Sequence, residues 1–136
     1  MARILLVDDA RDIVALIQFM LEQDGHRVVA AYDGAEALAK AGVEPRDETA
    51  PIPDLVILDV MMPILDGCAV RARLEEDART KTVPVIVLTA KGQRMRDIFE
   101  LAPNVAAYVQ KPCDPKRLRE LISGILASRG EQKNVR

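Results

Sequence analysis

The chain of 136 residues has few cysteines, little net charge and no long apolar run. Cys68 and Cys113 have no metal-type spacing, so we expect neither a disulfide framework nor a zinc site. A formal net charge of −2 excludes bulk electrostatic binding to nucleic acid. The first apolar stretch, Ile4 to Val7, ends at two aspartates and is too short for a secretory signal or a membrane span. We therefore expect a cytoplasmic protein without a membrane anchor.

The length of the chain fits one domain, which is large enough to bury a core of its own. The segment after Gly130 is short and polar, and we expect it not to fold. The predicted organisation is therefore one domain over residues 1–129 and a polar tail over residues 130–136.

Short β-branched runs alternate with longer helical patterns, and this alternation predicts an α/β fold built on a parallel sheet. Five strands are predicted, at 4–7, 28–31, 55–58, 85–88 and 106–110. Five helices are predicted between and after them. They run from Asp9 towards Gly25, over 34–41, from Gly67 to before Pro84, over 93–101, and from Pro115 with Asp114 as N-cap.

Two regions of this pattern carry further expectations. The first helix has apolar residues at helical spacing, which should form one buried face: Ile13, Leu16, Ile17, Met20 and Leu21. Residues 42–54 contain three prolines and several charges, which exclude helix and strand. We expect an exposed and mobile loop there.

Four of the predicted strands end on residues with a definite chemical use. The first is followed by Asp8 and Asp9, the third by Asp59, the fourth by Thr89 and the last by Lys111. The carboxyl ends of neighbouring parallel strands lie side by side, so these groups should converge on one crevice. Three carboxylates, a hydroxyl and an ammonium suit a divalent cation and a phosphoryl group.

Each of these residues also has an ordinary structural explanation. An aspartate pair before a helix is often a cap, and an aspartate at a strand end is often a turn former. The threonine and the lysine could simply be a strand-end residue and a solvated charge. Their joint placement favours the phosphoryl site. In that site, the carboxylate of Asp59 could attack a phosphoryl group if a cation neutralises the negative charge.

The motifs around these positions resemble the receiver domain of two-component response regulators, in particular the single-domain chemotaxis-type members. The resemblance covers Arg3 to about Ser128. It rests on four matching segments: Val7-Asp8-Asp9, Leu58-Asp59-Val60-Met61-Met62-Pro63 with Asp66-Gly67, Leu88-Thr89-Ala90, and Tyr108 to Lys111-Pro112. It implies a (βα)5 doubly wound, flavodoxin-like fold with strand order 2-1-3-4-5.

The resemblance also implies a metal site and a phosphoacceptor. Asp59 would accept the phosphoryl group. Mg²⁺ would be held by Asp8, Asp9 and Asp59, with the backbone carbonyl of Met61 as a further ligand.

The remaining implied roles concern the phosphoryl oxygens and the response to phosphorylation. Thr89 and Lys111 would each bind a phosphoryl oxygen, and the Lys111–Pro112 peptide bond would be cis. Thr89 and Tyr108 would form the switch that reports phosphorylation.

The function implied is that of a phosphoacceptor in a phosphorelay, which assists its own phosphorylation and dephosphorylation but is not otherwise an enzyme. A histidine kinase or histidine phosphotransfer protein would donate the phosphoryl group, and a downstream protein or a second copy of the chain would bind the switched face. Alternatively, the chain is a receiver fragment of a longer regulator. An aspartyl-phosphate hydrolase is a second alternative, but such an enzyme needs a second acid at the position where Met61 stands. A flavin-binding module is a third alternative, but the acidic pair would repel the flavin phosphate unless a cation were present.

Overall fold

The computed structural model describes residues 2–59, 67–89, 102–112 and 114–134. Its strands are β1 (Arg3–Val7), β2 (Arg27–Ala31), β3 (Leu55–Leu58), β4 (Val85–Thr89) and β5 (Val105–Gln110). Its helices are α1 (Arg11–Gln23), α2 (Gly34–Lys40), α3 (Gly67–Glu76) and α4 (Pro115–Asn134). The predicted helix at 93–101 lies outside the described residues, as do Met61 and Cys113.

All strand pairings are parallel, and the strand order is β2-β1-β3-β4-β5. The observed strands match the predicted ones to within one residue at each end. The central strands are buried on both faces, which explains why they read as continuous apolar runs without alternation. The predicted α/β fold and strand order are confirmed.

Successive side chains of each strand point to opposite faces of the sheet and pack into two separate cores, one on each face. On one face, Leu5, Val56 and Leu58 pack with Leu38 of α2 and Leu74 of α3. The opposite core joins alternate strand residues to α1 and α4; its members include Ile4, Leu6, Ile57, Leu21, Leu118 and Ile122. The fold is therefore doubly wound, with α1 and α4 on one side of the sheet.

The start of α4 and the end of α1 carry the capping residues that the sequence predicts. Asp114 accepts a hydrogen bond from the backbone N–H of Lys116 at 3.1 Å, as expected of the residue that precedes α4. Gly25, just past the end of α1, has a φ of 88°, a left-handed conformation that glycine adopts without strain.

One apolar position of α1 departs from the prediction. Val14, Ile17, Met20 and Leu21 are buried, but the side chain of Leu16 is 66% exposed. Leu16 lies on the flank of α1 that faces α4, and a groove of about 530 Å³ separates the two helices there. Helical periodicity identifies an apolar stripe but not how closely a neighbouring helix covers its edge.

The expectation of an unfolded tail after Gly130 is wrong for its first part, because α4 continues to Asn134. A glycine inside a helix costs only about 1 kcal/mol, and the Glu-Gln-Lys that follows it favours helix. Arg129 also donates a hydrogen bond to the carbonyl of Thr82 at 2.9 Å, which ties this end of α4 to the loop that precedes β4. The domain boundary at residue 129 stays a prediction.

The loop over residues 42–54 contains neither helix nor strand, as predicted, but it is anchored to the turn after α3. Arg79 donates to the carbonyl of Ala50 at 2.6 Å, and Arg46 pairs with Asp77 at 2.5 Å. Pro53 in the loop is buried. Composition predicted the lack of regular structure but not these contacts, because their partners lie about thirty residues further along the chain.

Candidate functional site

The register between β1 and β3 positions the acidic residues of the site. Val7 is aligned with Leu58, so Asp8 and Asp59 leave the sheet side by side. The backbone N–H of Asp59 donates to the carbonyl of Val7 at 2.9 Å, and that of Asp8 donates to the carbonyl of Ala31 at 3.1 Å. The sheet ladder therefore fixes both aspartates at its carboxyl edge.

Asp8, Asp9 and Asp59 each offer a carboxylate oxygen, and these three oxygens lie within 4.8 Å of one another. Asp8 is 3% and Asp59 5% exposed, whereas Asp9 faces solvent. Oδ1 of Asp8 accepts a hydrogen bond from the backbone N–H of Ala10 at 3.0 Å, which orients that carboxylate. The predicted convergence of the three aspartates is confirmed.

Lys111 brings a positive charge to this cluster from the end of β5. Its Nζ lies 2.6 Å from Oδ2 of Asp8 and 3.5 Å from Oδ2 of Asp59. Burial by itself lowers the pKa of the Lys111 ammonium, but the hydrogen bond and charge of Asp8, together with Asp59, raise it above its usual value. Lys111 is therefore a charged donor within the site.

The arrangement has the character of a cation site. Burying carboxylates is costly unless positive charge compensates them, and within the described residues the ammonium of Lys111 is outnumbered by the three carboxylates. An all-oxygen set of clustered carboxylates, open on the Asp9 side, suits a hard divalent cation that retains part of its water shell.

The other predicted site residues are placed by the backbone of β4 and β5. Thr89 is the last residue of β4 and is aligned with Gln110, which directly precedes Lys111. Tyr108 is half-buried in β5 and packs against the core on the α2 and α3 side. The Lys111–Pro112 peptide bond is cis, as the resemblance implied. Met61 lies outside the described part of the chain.

Two features near the site were missed by sequence reasoning. Lys111 makes its shorter contact with Asp8 and not with Asp59, although β1 and β5 are separated by two strands in the sheet. The guanidinium of Arg11 also lies 4.0 Å from the centre of the Tyr32 ring, where the first turn of α1 meets the end of β2. No local sequence pattern signals either contact.

Comparison with known proteins agrees with this geometry. Residues 4–123 match the profile of the family described as "Response regulator receiver domain". The chain is 35% identical to Protein PilH of Pseudomonas aeruginosa over 127 residues, which is 93% of this chain and 99% of PilH. It is also 38% identical over 124 residues to the alkaline phosphatase synthesis transcriptional regulatory protein PhoP of Bacillus subtilis, covering 91% of this chain.

The chain spans only about half the length of that regulator, 48%. Among solved structures, a response regulator receiver domain protein from Clostridium thermocellum is 28% identical, with a TM-score of 0.82 and coverage of 97% of this chain and 99% of that one. The response regulator TrrA from Thermotoga maritima, solved in complex with Mg²⁺-BeF, is 30% identical, with a TM-score of 0.75 and coverage of 92% and 99%.

Among the helices that the structure describes, none combines the length and apolar character needed to cross a bilayer. The family profile covers most of the chain, the sheet order is that of a flavodoxin-like fold, and the acidic pocket lies at the carboxyl edge of the sheet. The chain belongs to the receiver-domain family of two-component response regulators.

Proposed function

We propose that this receiver accepts a phosphoryl group on Asp59 and thereby switches a protein-binding face. The observation that carries the proposal is the meeting of three carboxylates and one ammonium at the end of the sheet. Asp59 is the candidate acceptor because it is buried, fixed by the ladder and within reach of Lys111.

The reaction transfers a phosphoryl group from a phosphohistidine of a histidine kinase or histidine phosphotransfer protein. A carboxylate oxygen of Asp59 forms a bond to phosphorus while the phosphorus–nitrogen bond breaks, and the imidazole leaves with that electron pair. The product is an acyl phosphate on Asp59. Lys111 donates hydrogen bonds to a phosphoryl oxygen, and Thr89 binds another through its hydroxyl.

The cation in this proposal is Mg²⁺, held by Asp8, Asp9 and Asp59 together with the backbone carbonyl of Met61. The fit rests on the donor set, which consists of three clustered carboxylates that outnumber the ammonium of Lys111 among the described residues. When bound, Mg²⁺ neutralises the negative charge that gathers as the two anions approach. The TrrA relative was solved with Mg²⁺ and a beryllium fluoride, which agrees with this assignment.

The signalling output of the receiver is a population shift: the receiver has two states, and phosphorylation favours one of them. Thr89 and Tyr108 are the proposed switch residues; the alignment of Thr89 with Gln110, next to Lys111, and the packing of Tyr108 against the core support this assignment. The altered face would bind a downstream protein or a second copy of this chain. We propose a cytoplasmic phosphoacceptor that assists its own phosphorylation and dephosphorylation and is not otherwise an enzyme.

Two relatives suggest two settings for this receiver. PilH matches the chain over nearly its whole length, which supports a receiver that acts alone. PhoP is about twice as long as the matched region, which supports the alternative of a receiver within a longer regulator. In both settings, the phosphoacceptor chemistry of Asp59 is the same.

The test is intact mass spectrometry after incubation with Mg²⁺ and acetyl phosphate. We expect the wild type to gain the mass of one phosphoryl group in a base-labile, Mg²⁺-dependent form, and Asp59→Asn to gain none. Asp12→Asn is the matched control, because Asp12 is an exposed carboxylate on α1 and its loss should leave the adduct intact. An adduct that persists in folded Asp59→Asn would contradict the assignment of the acceptor.

A further inference from the structure

The outer face of α1 carries an apolar patch beside a groove. Leu16 and Phe19 are 66% and 62% exposed, which makes them the most exposed large apolar side chains in the part of the chain that the structure describes. The groove beside them has a volume of about 530 Å³ and lies between α1 and α4. Its walls include Ile13 and Ile17 of α1 and Leu118 of α4. Monomeric proteins rarely expose contiguous apolar surface of this kind, so this face is a candidate contact surface.

The patch holds both a projection and a cavity, and this combination favours a second copy of the chain as the occupant. In a two-fold symmetric dimer, each copy presents the same surface to the other, so one patch must supply both complementary shapes. Phe19 and Leu16 stand on the flank of α1 next to the groove, and the ring of Phe19 in each copy can enter the groove of the other. The two contacts form together and close the assembly at two copies.

Charged residues border the groove at one end. Asp12 is exposed and lies on the side of α1 that carries the patch. The cation next to it, Arg11, is engaged elsewhere, because its guanidinium lies 4.0 Å from the centre of the Tyr32 ring at the end of β2. On α4, Arg119 lines the groove, and the exposed Lys116 lies three residues before it. The rim of the groove is therefore acidic at the start of α1 and basic at the start of α4.

The direction of the two helices decides which charges meet in a dimer. Both helices begin at the carboxyl edge of the sheet, α1 after β1 and α4 after β5. A two-fold axis that runs along the groove places α1 of each copy against α4 of the other, with Asp12 opposite Lys116. An axis across the groove would instead place Asp12 opposite the end of α1 in the other copy, where Glu22 and Asp24 repel it. Charge complementarity therefore selects the first arrangement, which gains two ion pairs.

We propose that the groove between α1 and α4 is the interface of a homodimer, in which Phe19 of each copy fills the groove of the other and Asp12 pairs with Lys116 of the other copy. The interface lies on the opposite side of the sheet from the core against which Tyr108 packs. It needs neither a cation nor a phosphoryl group, so the dimer forms in the unphosphorylated protein. It therefore goes beyond the proposed function and does not rest on it.

Sedimentation velocity of the unphosphorylated full chain, without Mg²⁺, tests the proposal. We expect the wild type to shift from monomer to dimer as its concentration rises through the micromolar range, as a small interface would. Phe19→Ser should weaken the dimer by about tenfold or more, because a buried aromatic side chain at the centre of an interface carries much of its affinity. Ile52→Ser is the matched control, since Ile52 is a 40% exposed apolar residue that does not line the groove. Its loss should leave the dissociation constant within about twofold of the wild-type value.

A charge exchange tests the orientation of the two copies separately. Asp12→Lys and Lys116→Asp each place like charges opposite one another and should weaken the dimer several-fold. The double variant Asp12→Lys/Lys116→Asp restores opposite charges in reversed order and should return the dissociation constant to near the wild-type value. Both residues are exposed, so the fold tolerates the exchange, and circular dichroism verifies it.

The outcomes separate the parts of the proposal. A wild type that remains monomeric at all these concentrations would overturn it and leave the groove to a helix of another protein. Equal dissociation constants in Phe19→Ser and the wild type would overturn it as well, since the copies would then meet through a different face. A double variant that dimerises no better than the single ones would overturn the pairing of α1 with α4. None of these results bears on phosphorylation of Asp59, which the mass measurement tests independently.

Discussion

At the scale of single residues, Arg79 shows how one side chain can order an irregular segment. Its guanidinium donates to the carbonyls of Ala50 at 2.6 Å and Asp47 at 3.3 Å, and to those of Ala41 and Gly42 at 3.4 Å each. Gly42 has a φ of 75°, and a Cβ there would lie 2.3 Å from the carbonyl oxygen of Asp47. The loop over residues 42–54 therefore depends on an arginine outside it and on a glycine within it.

We predict that Arg79→Met lowers the free energy of unfolding by about 1–2 kcal/mol, because several carbonyls lose a charged donor. It should also speed cleavage by a glutamate-specific protease after Glu48, which lies in the loop. Chemical denaturation and timed proteolysis measure the two effects. The control is Lys81→Met, which removes an exposed charge from the same turn. Equal cleavage rates in the two variants would show that Arg79 does not hold the loop.

At the scale of elements, α2 carries a reciprocal cap at its first turn. Asp33 accepts a hydrogen bond from the backbone N–H of Glu36 at 2.7 Å, and Glu36 accepts one from the backbone N–H of Tyr32 at 3.1 Å. Glu36 also pairs with Lys40 at 2.9 Å along the helix. The hydrogen bond from Lys40, together with that from Tyr32, lowers the pKa of Glu36 against the opposing effect of burial.

This lowered pKa predicts a pH dependence with a definite sign. The carboxylate of Glu36 stabilises the fold above its unfolded-state pKa, and this contribution is lost as the pH falls through the lower folded-state pKa. Glu36→Gln should therefore cost about 0.5 kcal/mol at neutral pH, since the pair with Lys40 is partly exposed.

The loss of stability caused by Glu36→Gln should shrink towards zero at a pH below the folded-state pKa of Glu36, where the wild type has lost the same charge. Urea unfolding of both proteins as a function of pH measures it. A difference in stability that is equally large in acid would contradict a role for the charge of Glu36.

At the scale of the whole molecule, the site exists only when the sheet is assembled. Asp8 and Asp9 follow β1, Asp59 follows β3 and Lys111 follows β5, so residues 103 positions apart come into contact. A cation that binds these groups in the folded state finds no such cluster in the unfolded chain. Cation binding and global stability are therefore linked.

We predict that Mg²⁺ raises the melting temperature of the wild type by several degrees at a concentration about a hundredfold above its dissociation constant. At that ratio of concentration to dissociation constant, Mg²⁺ binding adds about 2.7 kcal/mol to the free energy of unfolding. Thermal denaturation followed by circular dichroism measures the rise. KCl at matched ionic strength is the control and should produce a much smaller change. The same rise with KCl would mean that screening, and not a cation site, stabilises the fold.

The class of fold and the composition of the site follow from local patterns along the chain. Short β-branched runs alternating with helical patterns predict parallel strands, and such strands necessarily bring their carboxyl ends to one edge. The convergence of Asp8, Asp59 and Lys111 follows from that rule alone, and the structure confirms it.

The contacts between these elements depend instead on how distant segments pack against one another. Lys111 pairs most closely with Asp8, Leu16 stays exposed beside a groove, and α4 runs past Gly130. Each outcome depends on distances between segments remote in sequence, and on how well one surface covers another. Local periodicity records which residues prefer burial or a strand end, but packing between distant elements sets their partners.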